Sequence, residues 1–216
     1  TLLLSTNNAS ALPANFQDTV VFSDLDSPTA ISFAPNGKVF IAEKAGIIKV
    51  YDNLQDTTPT VFADLRSQVH NYSDRGIGGM VVDPQFPARP FVYVLYTMDG
   101  PIGSSLPNNN DQCAIPDFCL AGSRLSKLTA SADGNTMLSQ QILIESWCQI
   151  ENSHTADGLA FGADGALYLT HGDGASFNYV DYGQDGGCVD PVNEGGALRS
   201  QDLRTSGDPV SFDGAM

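Results

Sequence analysis

An apolar run, a turn signal and a second apolar run recur three times along the chain. The first copy is I-S-F-A-P-N-G-K-V-F-I-A (Ile31 to Ala42), and the third is L-A-F-G-A-D-G-A-L-Y-L-T (Leu159 to Thr170). The second has diverged into M-V-V-D-P-Q-F (Met80 to Phe86) followed by F-V-Y-V-L-Y (Phe91 to Tyr96). Asn-Gly or Asp-Gly between two such runs predicts a β-hairpin, because a tight turn needs positive φ at its centre. Further short strands are expected at Ile47 to Tyr51, Thr60 to Leu65, Arg124 to Thr129 and Gln141 to Ile144. No segment longer than a few turns carries a helical period.

The pattern therefore predicts an all-β chain with about four strands per unit, as in the blades of a β-propeller, which run roughly 40–50 residues each. Phe33 and Val82 are 49 residues apart, one blade length, whereas Val82 and Phe161 are 79 apart. The excess is expected in a loop within Asp99 to Gly122. A β-sandwich also uses short strands and turns. The shared turn register separates the two folds: in a propeller Phe33 and Phe161 occupy equivalent inner-strand positions, in a sandwich they sit on facing sheets. Residues 1–15 read as a loose lead-in and residues 16–216 as about three blades, a set expected to be incomplete at its C-terminal side, since propellers close with roughly four to eight.

Composition narrows the function classes. The net charge of −15 argues against nucleic acid as a partner, because phosphates call for clustered Lys and Arg. Among the acidic residues 21 are Asp and only four are Glu, which suits turns better than helices. No apolar run approaches the roughly 18 residues that a membrane helix needs. The four cysteines show neither C-x-x-C spacing nor a zinc-finger histidine, and so suggest disulfides and an oxidising compartment, extracellular or periplasmic. Cys113 and Cys119 flank a short loop containing Pro116 and are expected to pair, leaving Cys148 with Cys188, although four cysteines allow three connectivities. Asn8-Ala9-Ser10 and Asn71-Tyr72-Ser73 form glycosylation sequons, relevant in a eukaryotic source.

An ordered set of segments resembles the soluble glucose/sorbosone dehydrogenase family. Ser27 to Val50 is similar to that family's first blade. Asp74-Arg75-Gly76-Ile77-Gly78-Gly79-Met80, with Asp83-Pro84-Gln85-Phe86 after it, resembles its "RGLLGLAFDPDF" element, Gly78 standing where Leu is usual. Ser123 to Leu128 is similar to its "GRLSRL" strand, and His154 to Asp173 to its "H…G.LAFGPDG.LYVTxGD" stretch. The resemblance implies a six-bladed propeller that oxidises sugars with pyrroloquinoline quinone (PQQ) and Ca²⁺. Its partners would be an aldose or polyol substrate, an external electron acceptor and the remaining propeller blades.

Within that resemblance His154 is the candidate general base, a role that suits an imidazole because its ordinary pKa of about 6.5 lies near neutral pH. Asp74 and Arg75 are the candidate substrate-binding residues. Asp173, Asp181 and Asp185 lie in a Gly-rich segment and offer hard oxygen ligands of the kind Ca²⁺ takes. His171 reads as structural, and His70 as a loop residue without a visible partner. Ser153 stands where relatives carry Asp, and Asp157-Gly158 replaces a usual small or Gly-Arg pair. These departures keep a second reading open, that of a non-catalytic extracellular propeller that binds carbohydrate or protein.

Overall fold

The structure, a computed structural model, describes residues 13–114 and 118–174 together with Cys188, Phe212 and Gly214. Most of the lead-in expected over residues 1–15 lies outside the described residues, as do Asp181 and Asp185.

Among the described residues ten strands follow one another: β1 (Pro28–Phe33), β2 (Val39–Glu43), β3 (Ile47–Tyr51), β4 (Thr60–Asp64), β5 (Ile77–Val82), β6 (Phe91–Thr97), β7 (Phe118–Ala130), β8 (Met137–Glu151), β9 (Ala156–Phe161) and β10 (Leu167–His171). They form antiparallel meanders β1-β2-β3-β4 and β5-β6-β7-β8, and a two-stranded β9-β10 sheet. No helix occurs among the described residues. The fold is all-β, with the sheets arranged as blades of a partial propeller. The leading strands stand side by side, β1 against β5 and β5 against β9, without sharing a ladder.

The hairpin turns repeat in the expected register. Ala34 N–H donates to Lys38 C=O at 2.8 Å and Gly37 N–H to Ala34 C=O at 2.9 Å; the bonds from Gly162 to Ala166 and from Gly165 to Gly162 repeat them at 2.9 and 3.0 Å. Gly37 and Gly165 sit at φ 93° and 81°, where a side chain would be strained. Phe33 consequently pairs with Val39 as Phe161 pairs with Leu167. The two phenylalanines hold equivalent positions on leading strands, as a propeller requires and a sandwich does not.

The core fills the gaps between sheets. Phe40, Ile48 and Phe62 of the first sheet pack on Met80, Val92, Val94 and Tyr96 of the second. Leu95, Leu125 and Trp147 pack on Leu159, Leu167 and Leu169. Strand β6 thus faces one neighbour with Val92, Val94 and Tyr96 and the other with Leu95, while the Tyr93 ring meets Phe161 edge-on at 5.5 Å. Close approach of β5 to β9 depends on glycine: a Cβ on Gly78 would lie 2.1 Å from the Ala156 carbonyl oxygen, and one on Gly79 2.7 Å from that of Asp157. The residue that departs from the family pattern at position 78 is therefore one that this packing demands.

Strands β7 and β8 run well past the segments expected from alternation, and irregularities in register interrupt their pairing. The β6–β7 connection takes up most of the segment expected as a loop, whose last residues, Phe118 to Gly122, instead begin β7. Cys113 pairs with Cys119 and Cys148 with Cys188, with Cα atoms 5.1 and 5.5 Å apart.

Candidate functional site

The short loop from Asn152 to Thr155 joins β8 to β9 and carries His154 in the left-handed region, at φ 53°. That conformation is uncommon for a residue with a Cβ and persists only where surroundings fix it. Here Gly174 N–H donates to His154 C=O at 2.9 Å and Gly172 N–H to Thr155 C=O at 3.0 Å, extending the β9–β10 hairpin past its last ladder pair. Gly172 has no room for a side chain, since its Cβ would lie 2.1 Å from the His154 carbonyl oxygen. On the other flank Asp74 N–H donates to Asn152 C=O at 3.3 Å, and the Thr155 hydroxyl donates to Asp74 C=O at 3.4 Å.

These strand ends enclose a depression of about 220 Å³ lined by Asp74, His154, Thr155, Ala156, Asp157 and Gly172. The His154 side chain is 42% exposed, and its Nδ1 lies 2.9 Å from Asp173 Oδ1. A carboxylate on Nδ1 favours the tautomer with the proton there and the lone pair on Nε2, as a general base requires. Two sequence candidates, His154 and Asp74, are thus brought together. Asp173 joins them as the imidazole's carboxylate partner, so any calcium role for it competes with that contact.

Arg75 follows Asp74 but turns the other way. It is fully buried, and its guanidinium donates to the carbonyl oxygens of Cys119, Ile150 and Glu151 at 2.8, 3.2 and 2.9 Å. It also approaches Cys119 Sγ at 3.2 Å and His70 Nδ1 at 3.1 Å. Burial lowers its pKa to about 10, which leaves it charged at neutral pH. Its guanidinium is enclosed by the frame rather than offered to the depression.

His70, expected as a loop residue without a partner, is fully buried beside Arg75 and stacks on Tyr72 at 5.9 Å between centroids. Burial, followed by the Arg75 charge, lowers its pKa to about 4. At neutral pH the 3.9 Å approach of its Nε2 to Asp99 is therefore a contact with a neutral ring and not an ion pair. His70, Cys113 and Cys119 bring potential ligand atoms within 4.8 Å of one another, but both sulfurs belong to a disulfide and no thiolate is available to a metal. His171 is buried, stacked on Trp147 at 5.1 Å with Nε2 2.9 Å from Ser123 Oγ, in keeping with a structural part.

A family model for Glucose / Sorbosone dehydrogenase matches residues 25–202. The chain belongs to that family. Its fold is similar to that of a putative oxidoreductase (glucose dehydrogenase) from Thermus thermophilus, at 24% identity and a TM-score of 0.52, with 71% of this chain and 39% of that one covered. It is also similar to the PQQ-bound form of an aldose sugar dehydrogenase from Streptomyces coelicolor, at 15% identity and a TM-score of 0.54, covering 77% and 43%. The soluble aldose sugar dehydrogenase of Escherichia coli, in its apo form, matches at 17% identity and a TM-score of 0.50, covering 77% and 43%. The chain spans about two fifths of the length of these structures. No curated protein matches it.

In this glucose/sorbosone dehydrogenase family member the depression gathers an imidazole and the carboxylates of Asp74 and Asp157 around one opening. An exposed imidazole oriented by a carboxylate, with Asp74 and Asp157 beside it, suits a hydroxyl-bearing substrate. Among the described residues no cationic side chain lines the depression, whereas PQQ is a tricarboxylate that calls for cationic grips. Lys44 has its ammonium on Asn71 Oδ1 at 2.8 Å.

Proposed function

We propose that the complete protein is an oxidoreductase that uses PQQ and Ca²⁺ to oxidise an aldose or related polyol, passing the electrons to an external acceptor. The observation that carries this reading is the exposed His154 imidazole with Nδ1 on Asp173, set beside Asp74 in an open depression between leading strands. Nε2 of His154 accepts the proton of the sugar hydroxyl undergoing oxidation. Asp173 holds the ring and stabilises the imidazolium that forms. Asp74 and Asp157 accept hydrogen bonds from further hydroxyls and orient the sugar. Bound PQQ supplies the two-electron acceptor that this chemistry requires.

The grips for PQQ are assigned to the remaining blades. Calcium is proposed to depend on Asp181 and Asp185 more than on Asp173, whose carboxylate meets the imidazole. Two disulfides favour a secreted or periplasmic location.

The test is dye-coupled sugar oxidation by the full-length protein reconstituted with PQQ and Ca²⁺. Wild type should reduce dye in the presence of an aldose, and His154→Ala should bind PQQ yet lose about 10²–10⁴-fold in turnover. A wild type that neither binds PQQ nor reduces dye with any common aldose would leave the carbohydrate- or protein-binding propeller as the reading.

A further inference from the structure

Arg75 spends its guanidinium where the catalytic reading has no direct use for it. It is fully buried, yet three of its contacts are backbone carbonyls, and two of these, Ile150 and Glu151, end the strand that leads into the His154 loop. The third, Cys119, lies at the start of β7, where its disulfide to Cys113 closes the preceding loop. The adjoining residue, Asp74, binds the same loop twice through its backbone, to Asn152 and Thr155. A planar guanidinium can hold several carbonyls in fixed directions at once, which an ammonium cannot.

We propose that Arg75 is a positioning residue: it ties the end of β8 to the start of β7 at Cys119 and thereby fixes the left-handed loop that presents His154 and lines the depression with Asp74. The proposal rests on the reading of His154 as the base. His154 has backbone restraint on its C-terminal side from the bonds to Gly172 and Gly174. Arg75 and the Asp74 backbone supply restraint on its N-terminal side. With the guanidinium gone, the carbonyls of residues 150 and 151 lose a charged donor inside the protein and the loop relaxes toward ordinary backbone angles. Misplacement by about 1 Å can cost on the order of 10²-fold in rate.

Arg75→Gln and Arg75→Lys are compared with wild type in the full-length protein, with circular dichroism as the check of fold. The protein carries histidine labelled with ¹³C at Cε1, so the His154 ring is followed directly, assigned by its loss in His154→Ala. In Arg75→Gln the His154 resonance should shift or broaden in the protein without PQQ. After reconstitution kcat should fall about tenfold or more while KM changes less than about threefold. Arg75→Lys, able to reach part of the carbonyl set, should recover part of both. A folded Arg75→Gln whose His154 resonance is unmoved overturns the proposal, even if activity is lost, because the loss would then not run through His154. If wild type proves inactive, the resonance alone decides, and the positioning role stands or falls apart from the enzyme reading. Should Arg75→Gln not fold, Arg75→Lys is read in its place: its His154 resonance should differ from that of wild type, and an unmoved resonance overturns the proposal.

Discussion

The chemistry at this site depends on which titratable side chains are enclosed and which are open, and the histidines show the contrast. His154 is open to solvent with its ring on Asp173, whereas His70 is closed in beside a charged arginine. In the sequence the two are equally isolated. The resemblance of the His154–Asp173 stretch to a family motif singled out the first. Nothing marked the second, because His70 meets Arg75, Asp99 and Cys119 through tertiary contacts that no local pattern encodes. Arg75 was legible, with Asp74, as a substrate-binding candidate of the family element, and its inward turn depends on carbonyls 44 to 76 residues further along the chain. Two predictions belong here. Asp173→Asn should keep the loop but favour the wrong imidazole tautomer, lowering kcat at least about tenfold in the dye-coupled assay, with the calcium requirement little changed. His70 gives a pH dependence. In the unfolded chain its ring takes a proton near pH 6.5, but in the folded protein not until about 4, so the unfolded state binds more protons between those values. Stability should therefore fall as pH drops through that window and then level off in this term. The imidazolium would form against Arg75 and Lys44, with Asp99 and Asp111 opposing their effect. Urea midpoints measured from pH 7 to 4 should slope less in His70→Gln than in wild type, and equal slopes would refute the assignment.

Strands were legible to the extent that their faces differ. The first and third hairpins announced themselves because Asn36-Gly37 and Asp164-Gly165 supply the turn and the flanking runs are apolar. Strand β6 reads as an unbroken apolar run because sheets cover it on both sides, a pattern that fixes no register by itself. The ends of β7 and β8 were invisible for the opposite reason. Their outer portions alternate poorly and irregular register interrupts them; Arg124, the first residue of the expected strand, pairs with Glu145 across the two strands at 2.7 Å. Gly78 connects this scale to the site. Leu at that position should collide with the Ala156 carbonyl and drive β5 from β9, costing about 1–3 kcal/mol or more in denaturant unfolding of the full-length protein. A Gly78→Leu variant as stable as wild type would mean that the two strands are not so close. The Cys148–Cys188 bridge joins β8 to a residue 40 positions later, and replacing both cysteines by serine should lower stability by about 2–4 kcal/mol, read from the same unfolding curves.

At the scale of the molecule, both ends of the row of sheets carry apolar surface. On the first sheet Ile31 and Phe33 are exposed, Phe33 by 62%, near a hollow lined by Phe22, Leu25, Ile31 and Ile41. At the far end a groove of about 390 Å³ is lined by Leu125, Ile144, Trp147, Leu167, Leu169 and Phe212, and Leu138 on β8 is 68% exposed. Soluble monomers rarely leave apolar patches of this kind uncovered. The middle sheet has neighbours on both faces, whereas each outer sheet has one among the described residues. The sequence could announce blades but not what covers the outer faces, because each repeat encodes its own hairpin and only stacking creates the interface. The expectation for the 216 residues expressed alone follows from this. They should bind a hydrophobic dye such as ANS more strongly, per residue, than the full-length protein, and self-associate in sedimentation experiments. They should also show no PQQ-dependent sugar oxidation, since the proposed cofactor grips lie on other blades. A monomeric, dye-silent fragment would show that these faces are covered from within the chain. A fragment that oxidised sugar with PQQ would place the whole cofactor site on these residues and overturn the assignment of its grips elsewhere.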